Sequence, residues 1–261
     1  MFRNPLAAQV PAGFTAGTNT NNDTVATTAY ADRLAYLPTW VGFREDFLHS
    51  GAASSITAAT GEFFDTNWSA GPIGAGTSTQ VIATSTWNNP GQIIITTPAT
   101  LNVGAAIYKS STGGAFGPIA ANAGWEANII VKLNQTTNVC LRIGFFQGGQ
   151  QVADAPSAGM FISYDTAAAD ANFIFECRNA TTSTRTASSV AADTNFHHFR
   201  IWSTVAGTIN FSIDGGATTS ITTNVPTAQV VEPAWQTIAR AAGAVATTID
   251  FFSYAAATTR T

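Results

Sequence analysis

Apolar and polar residues alternate with period two along most of the chain after residue 42. In Phe199-Arg200-Ile201-Trp202 and again in Ile209-Asn210-Phe211-Ser212-Ile213, every second residue is a large apolar one. That pattern predicts two antiparallel strands, each with one face in a core. Asp214-Gly215-Gly216 tolerates positive φ, so the second strand ends in a tight turn and leads to a third over Ile221 to Val225. The alternation predicts further strands at Gly91 to Thr97, Trp125 to Leu133, Val139 to Phe146, Met160 to Tyr164, Phe173 to Arg178 and Trp235 to Arg240. Arg44 to Phe47 reads as the first strand and Thr248 to Tyr254 as the sister strand that closes the fold against it. Residues 65–80, 109–124 and 147–158 read as the longest loops.

The two strands within 195–216, with Phe-His-His-Phe-Arg-Ile followed by Ile-Asn-Phe-Ser-Ile-Asp-Gly, resemble the late strands of concanavalin A-like (laminin G-like) jelly rolls. The resemblance implies an all-β, two-sheet antiparallel jelly-roll sandwich over residues 41–261. It implies little about activity, because such sandwiches serve as lectins, hydrolases and passive virion modules.

Residues 1–40 lack strand alternation and are poor in large apolar groups, so they read as an extended N-terminal arm outside the sandwich. Asp23 suits the N-cap of one short helix over Thr24 to Leu34, with Val25, Ala29 and Leu34 roughly on one side, and Pro38 stops it. Within this helix, Asn22-Asp23-Thr24-Val25-Ala26-Thr27-Thr28-Ala29-Tyr30-Ala31-Asp32 is similar to an Ala-Thr-Thr-Ala-Tyr-type segment that recurs in fibre and appendage proteins of tailed bacteriophages. The family segment has Asp-Asn where this chain has Asn22-Asp23, and often Val where it has Ala31. The resemblance implies a virion protein assembled in the host cytoplasm. Its arm would dock on other tail or capsid proteins through Val25, Ala29, Tyr30 and Leu34, and the chain would form a homotrimer.

Composition narrows the partners. Charged residues are 10% of the 261, against roughly 25% in ordinary soluble domains. A net charge of −4 provides no basic stripe, which argues against nucleic acid. Neither an apolar leader nor an apolar run of membrane-spanning length is present, so export and membrane insertion are not expected. Cys140 alternates out of phase with Leu141 and Ile143, whereas Cys177 is in phase with Phe173 and Phe175. Opposite faces cannot be bridged without a bulge, so two free thiols are expected, with Cys140 on the outer face.

Retaining glycosidases of this fold carry Glu-x-Asp-x-x-Glu on one strand, since alternate positions bring the carboxylates to one face. That motif is absent, and Glu126, Glu176, Asp214 and Asp250 read as isolated solvated or turn-capping acids. His197 and His198 are adjacent on a strand and point to opposite sides, which prevents shared chelation. The loop from Asp165 through Asp170 to Asn172 lacks the dense ligand spacing of a calcium site. The expectation is therefore a protein without enzymatic activity, metal or cofactor.

Recognition on such a scaffold falls to loops, and the aromatic and amide residues there, Trp68, Tyr108, Phe116, Gln147 and Gln150, are the candidate contacts for a host-surface glycan. The reading that unites these observations is a virion fibre or appendage with a lectin-like sandwich. Its alternatives are a capsid decoration or head-fibre protein, a carbohydrate-binding module or depolymerase, and an architectural spacer.

Overall fold

The computed structural model describes residues 40–45, 54–56, 60–63, 68–74, 80–83, 92–109, 119–147, 153–180 and 182–257. Its strands, numbered in chain order, form two antiparallel sheets. One sheet runs β15 (Thr219–Ile221), β14 (Thr208–Ile213), β13 (His197–Val205), β8 (Trp125–Leu133), β17 (Ala246–Ala257), β6 (Ile93–Thr96), β5 (Gln80–Ala83) and β2 (Ser54–Ile56), with β1 (Trp40–Glu45) also paired to β17. The other runs β12 (Thr182–Ala191), β11 (Asn172–Asn179), β10 (Gly159–Asp165), β9 (Val139–Gln147), β16 (Val231–Ala239), β7 (Gly104–Lys109), β4 (Trp68–Ile73) and β3 (Thr60–Phe63). Many of the strands are those the alternation predicts, arranged as the jelly-roll sandwich that the resemblance implies, and the first and last strands pair as expected. Residues 43–255 make up one compact unit. The expected N-terminal arm and the helix expected within it, with Val25, Ala29, Tyr30 and Leu34, lie outside the described residues.

β8 shows why the pattern was readable. Trp125, Ala127, Ile129, Val131 and Leu133 are buried, and the four residues between them are half-buried. Between the sheets runs a seam of aromatic rings. Trp125 meets Phe145 edge-on at 5.6 Å, Phe145 meets Tyr254 at 5.7 Å, and Phe173 meets Phe199 at 5.0 Å. Removing a side chain of this size from water stabilises the fold by about 1.5–3 kcal/mol. Within the seam Trp235 Nε1 donates to Thr247 Oγ1 at 2.9 Å, and the Thr237 hydroxyl is bonded to that of Thr247.

Both cysteines are free and buried. Cys140 does lie on the face opposite Leu141, but that face is not open to solvent there. Ile73, Ala106 and Ile238 pack around the thiol, which corrects its expected outer position. The histidines do separate: His197 is buried between Asp214 Oδ2 at 2.7 Å and Asp193 Oδ1 at 3.1 Å, while His198 is exposed and meets Asn128 Oδ1 at 2.9 Å.

Candidate functional site

The face of the eight-stranded sheet that turns away from the seam carries the chemistry. Register fixes its residues. Arg142 of β9 stands beside Ser163 of β10 and Gln236 of β16, and Gly144 stands beside Phe161 and Ala234. Gly144 has φ +149°, and a Cβ there would lie 2.6 Å from Met160 O and 2.7 Å from Phe161 Cα. Only glycine lets β10 approach so closely.

At one end of this face, where β16 ends and β10 enters a short 3-10 turn (Thr166–Ala168), two arginines and two aspartates interlock. Arg240 donates through Nε to Asp165 Oδ1 at 2.9 Å and through Nη2 to Asp165 Oδ2 at 2.7 Å. Its other edge grips Asp154, with Nη1 to Oδ2 at 2.9 Å and Nη2 to Oδ1 at 2.8 Å. Arg142 joins from the next strand, 3.2 Å from Asp165 and 3.4 Å from Asp154, and its Nη1 also donates to the Asp154 carbonyl. Asn102 Oδ1 accepts from Arg240 at 2.9 Å, and Gln236 Nε2 donates to Ala153 O at 2.9 Å. The network thereby fastens the 153–158 segment across the sheet. Burial by itself would raise the pKa of both aspartates. The hydrogen bonds and charge of Arg240, then the charge of Arg142, outweigh it and hold both carboxyls below the ordinary range.

A second cluster sits towards β12. Arg185 Nη2 donates to both oxygens of Asp170, at 3.0 and 2.8 Å, and Nε donates to Glu176 Oε2 at 3.2 Å. Glu176 is buried, and that burial outweighs the nearby arginines to raise its pKa. It is therefore not the solvated acid expected. The Asp165–Asn172 loop likewise spends its carboxylates on arginines: Asp165 also caps the 3-10 turn through Ala167 N–H, and Asp170 accepts from the Asp165 amide. Asp214 is a turn-capping acid, accepting from His198 N–H at 2.7 Å. Glu126 accepts from Arg200 at 2.7 Å and Asn128 at 2.8 Å.

The candidate ligand contacts fall differently from expectation. Trp68 belongs to β4, not to a loop, and is buried edge-on against Phe252 at 5.8 Å, so it is a seam residue. Tyr108 is likewise in a strand, β7. It lies half-buried on the chemistry-bearing face against Phe146, Phe161 and Ala234, and burial followed by the charge of Glu232 raises its pKa. Gln147 ends β9 and accepts from Ser157 Oγ at 2.8 Å, which ties down the far end of the 153–158 segment. Phe116 and Gln150 lie outside the described residues. Sequence reasoning missed Arg142, Asp154, Asp165 and Arg240 as a set. The only sign was that arginine and aspartate occurred at all in so uncharged a chain.

No protein-family model matches the chain, and no curated protein matches it. Solved structures do. A native glycosidic hydrolase superposes with a TM-score of 0.54 at 13% identity, covering 82% of this chain and 95% of its own. The carbohydrate recognition domain of Emp47p gives 0.53 at 8% identity, over 85% and 98%. The β-glucanase of Bacillus licheniformis gives 0.50 at 12% identity, over 84% and 98%. Two of these three are named as enzymes, which corrects the expectation that the chain lacks enzymatic activity: its fold is one that hydrolases use. What these likenesses establish is the fold, a concanavalin A-like jelly-roll sandwich.

Proposed function

We propose that this chain is a glycan-binding appendage protein of a tailed bacteriophage, mounted on the virion through residues 1–40 and assembled as a homotrimer. The observation that carries the reading is the Asn22–Asp32 segment, similar to phage appendage segments, placed ahead of a lectin-type sandwich. The names of the neighbours add carbohydrate as the ligand class, since one is a carbohydrate recognition domain and others are glycoside hydrolases. The chemistry-bearing face of the eight-stranded sheet supports the reading with a half-buried Tyr108 and, at its end, the partly exposed Asp154 held by Arg240.

Two measurements test it. The full chain is applied to immobilised bacterial surface polysaccharides, and retention and release of reducing ends are read together. Retention supports the reading, release identifies the sandwich as a hydrolase, and neither on any host polysaccharide overturns glycan binding. Separately, a chain lacking residues 1–40 is expected to keep its strand circular dichroism and disappear from assembled particles. Normal incorporation would remove the anchoring role.

A further inference from the structure

The Arg142–Arg240 pair has an unequal pair of carboxylate partners. Asp165 is nearly buried, ends β10 and is fixed a third way by the Ala167 amide. Asp154 is 39% exposed and sits on the connecting segment. Its carboxylate is bonded only to arginines among the described residues: both edge nitrogens of Arg240 and Nη1 of Arg142. One arginine charge is thus balanced permanently by Asp165, and the other by a group at the surface. A planar carboxylate held by two parallel N–H donors is the geometry with which guanidinium recognises any carboxylate. Directly across the ladder from Arg142, on the same face, Ser163 Oγ is buried and has no hydrogen-bond partner among the described residues. A buried hydroxyl left unpaired across the ladder from Arg142 marks a place where one further hydrogen-bonding group is missing.

We infer that Arg240 and Arg142 form a recognition site for a carboxylate-bearing sugar, with the Asp154 side chain acting as an internal stand-in that the ligand's carboxylate displaces. Displacement conserves charge in the site: one carboxylate leaves with the 153–158 segment and another enters. Once the 153–158 segment has withdrawn from Gln236, whose amide it now holds through Ala153 O, the sugar hydroxyls face the Arg142 end of the sheet where Ser163 lies, and Asn102 stays bonded to Arg240. The inference rests on the glycan-binding reading and specifies the sugar class.

The test compares the full-length wild type with Asp154→Ala, using glucuronate, N-acetylneuraminate and, as neutral control, glucose. Removal of the stand-in is expected to tighten binding of at least one acidic sugar by about tenfold or more while leaving glucose unchanged, because a charge-assisted contact is gained without competition. The same sugar raises the unfolding temperature of the variant more than that of the wild type. Equal affinity of the variant for acidic and neutral sugars overturns the site. If Asp154→Ala does not fold, Asp154→Asn keeps the shape without the charge, and preferential stabilisation by the acidic sugars is read in the same way. Wild-type binding of neutral glycans with no acidic gain in the variant sinks the site and leaves the broader reading intact. Carboxylate capture by the variant, with wild type silent on every polysaccharide, supports the site and sinks the broader reading.

Discussion

Arg240 holds Asp165 through two parallel hydrogen bonds, Nε to Oδ1 at 2.9 Å and Nη2 to Oδ2 at 2.7 Å, with both side chains almost out of contact with water. Such a pair is weak evidence for net stability, yet breaking it from one side strands a charge. Arg240→Gln is therefore expected to destabilise the fold by about 3–5 kcal/mol, less whatever Arg142 recovers. Urea denaturation measures this. A loss under about 1 kcal/mol, the range of surface pairs, would show that the pair is solvated in solution.

Acid should act on the two sides of this face in opposite directions. Asp165 and Asp154 are depressed, so the stability they contribute is complete above the ordinary aspartate value of about pH 4 and is lost as pH falls through their folded values. Glu176 is raised by burial, so its ionised form costs stability above its folded pKa, and that cost vanishes as pH falls towards about 4.3. Glu176→Gln should accordingly be more stable than wild type at neutral pH, with the gap closing under acid. Urea midpoints against pH for the two proteins give the answer; a gap that widens under acid would reverse the sign assigned to Glu176.

Close approach of β9 and β10 depends on Gly144. Gly144→Ala puts a methyl group 2.6 Å from a carbonyl oxygen and should cost about 1–3 kcal/mol as overpacking, more if the positive φ adds strain. Thermal unfolding of the variant beside Gly159→Ala, also crowded but without the positive φ, separates the two contributions.

Neither thiol should react in the native protein. Burial pushes the Cys140 thiol up to about 12, and burial also raises Cys177. The thiolate is the nucleophile, so a thiol reagent at pH 8 is expected to label neither cysteine until denaturant is added, and then both. Labelling of Cys140 in the folded state would mean that the Ile73, Ala106 and Ile238 packing opens.

Much of the sandwich was legible because its central strands bury one face fully and the other partly. β8 keeps its alternation over nine residues, and its ends coincide with the prediction. β12 was invisible for the converse reason. Thr182–Ala191 lies at a sheet edge, six of its ten residues are exposed and only Ser188 is buried, so no core demanded apolar residues of it. β4 reads as loop in the sequence because Gly71 and Pro72 interrupt it, and proline is tolerated in strands chiefly at edges or bulges. The arginine network was unreadable from spacing. Asp154 and Arg240 stand 86 positions apart, and sheet order alone, setting β16 beside β9 and β9 beside β10, brings them together.

That same edge strand has a consequence for how copies of the molecule tolerate one another. Thr182 and Thr184 of β12 are joined to Asn224 and Thr223, just beyond β15 at the edge of the opposite sheet, by hydroxyl and amide hydrogen bonds of 2.6 to 3.0 Å. The two sheets are laced together at this side by groups that water can replace at little cost. Ser183, Arg185, Ala187 and Ser189 leave the border hydrophilic or nearly featureless. A bare β edge invites a neighbour's strand to extend it, and this one supplies no apolar reward for doing so. Many such chains can crowd side by side at this border and remain separate molecules.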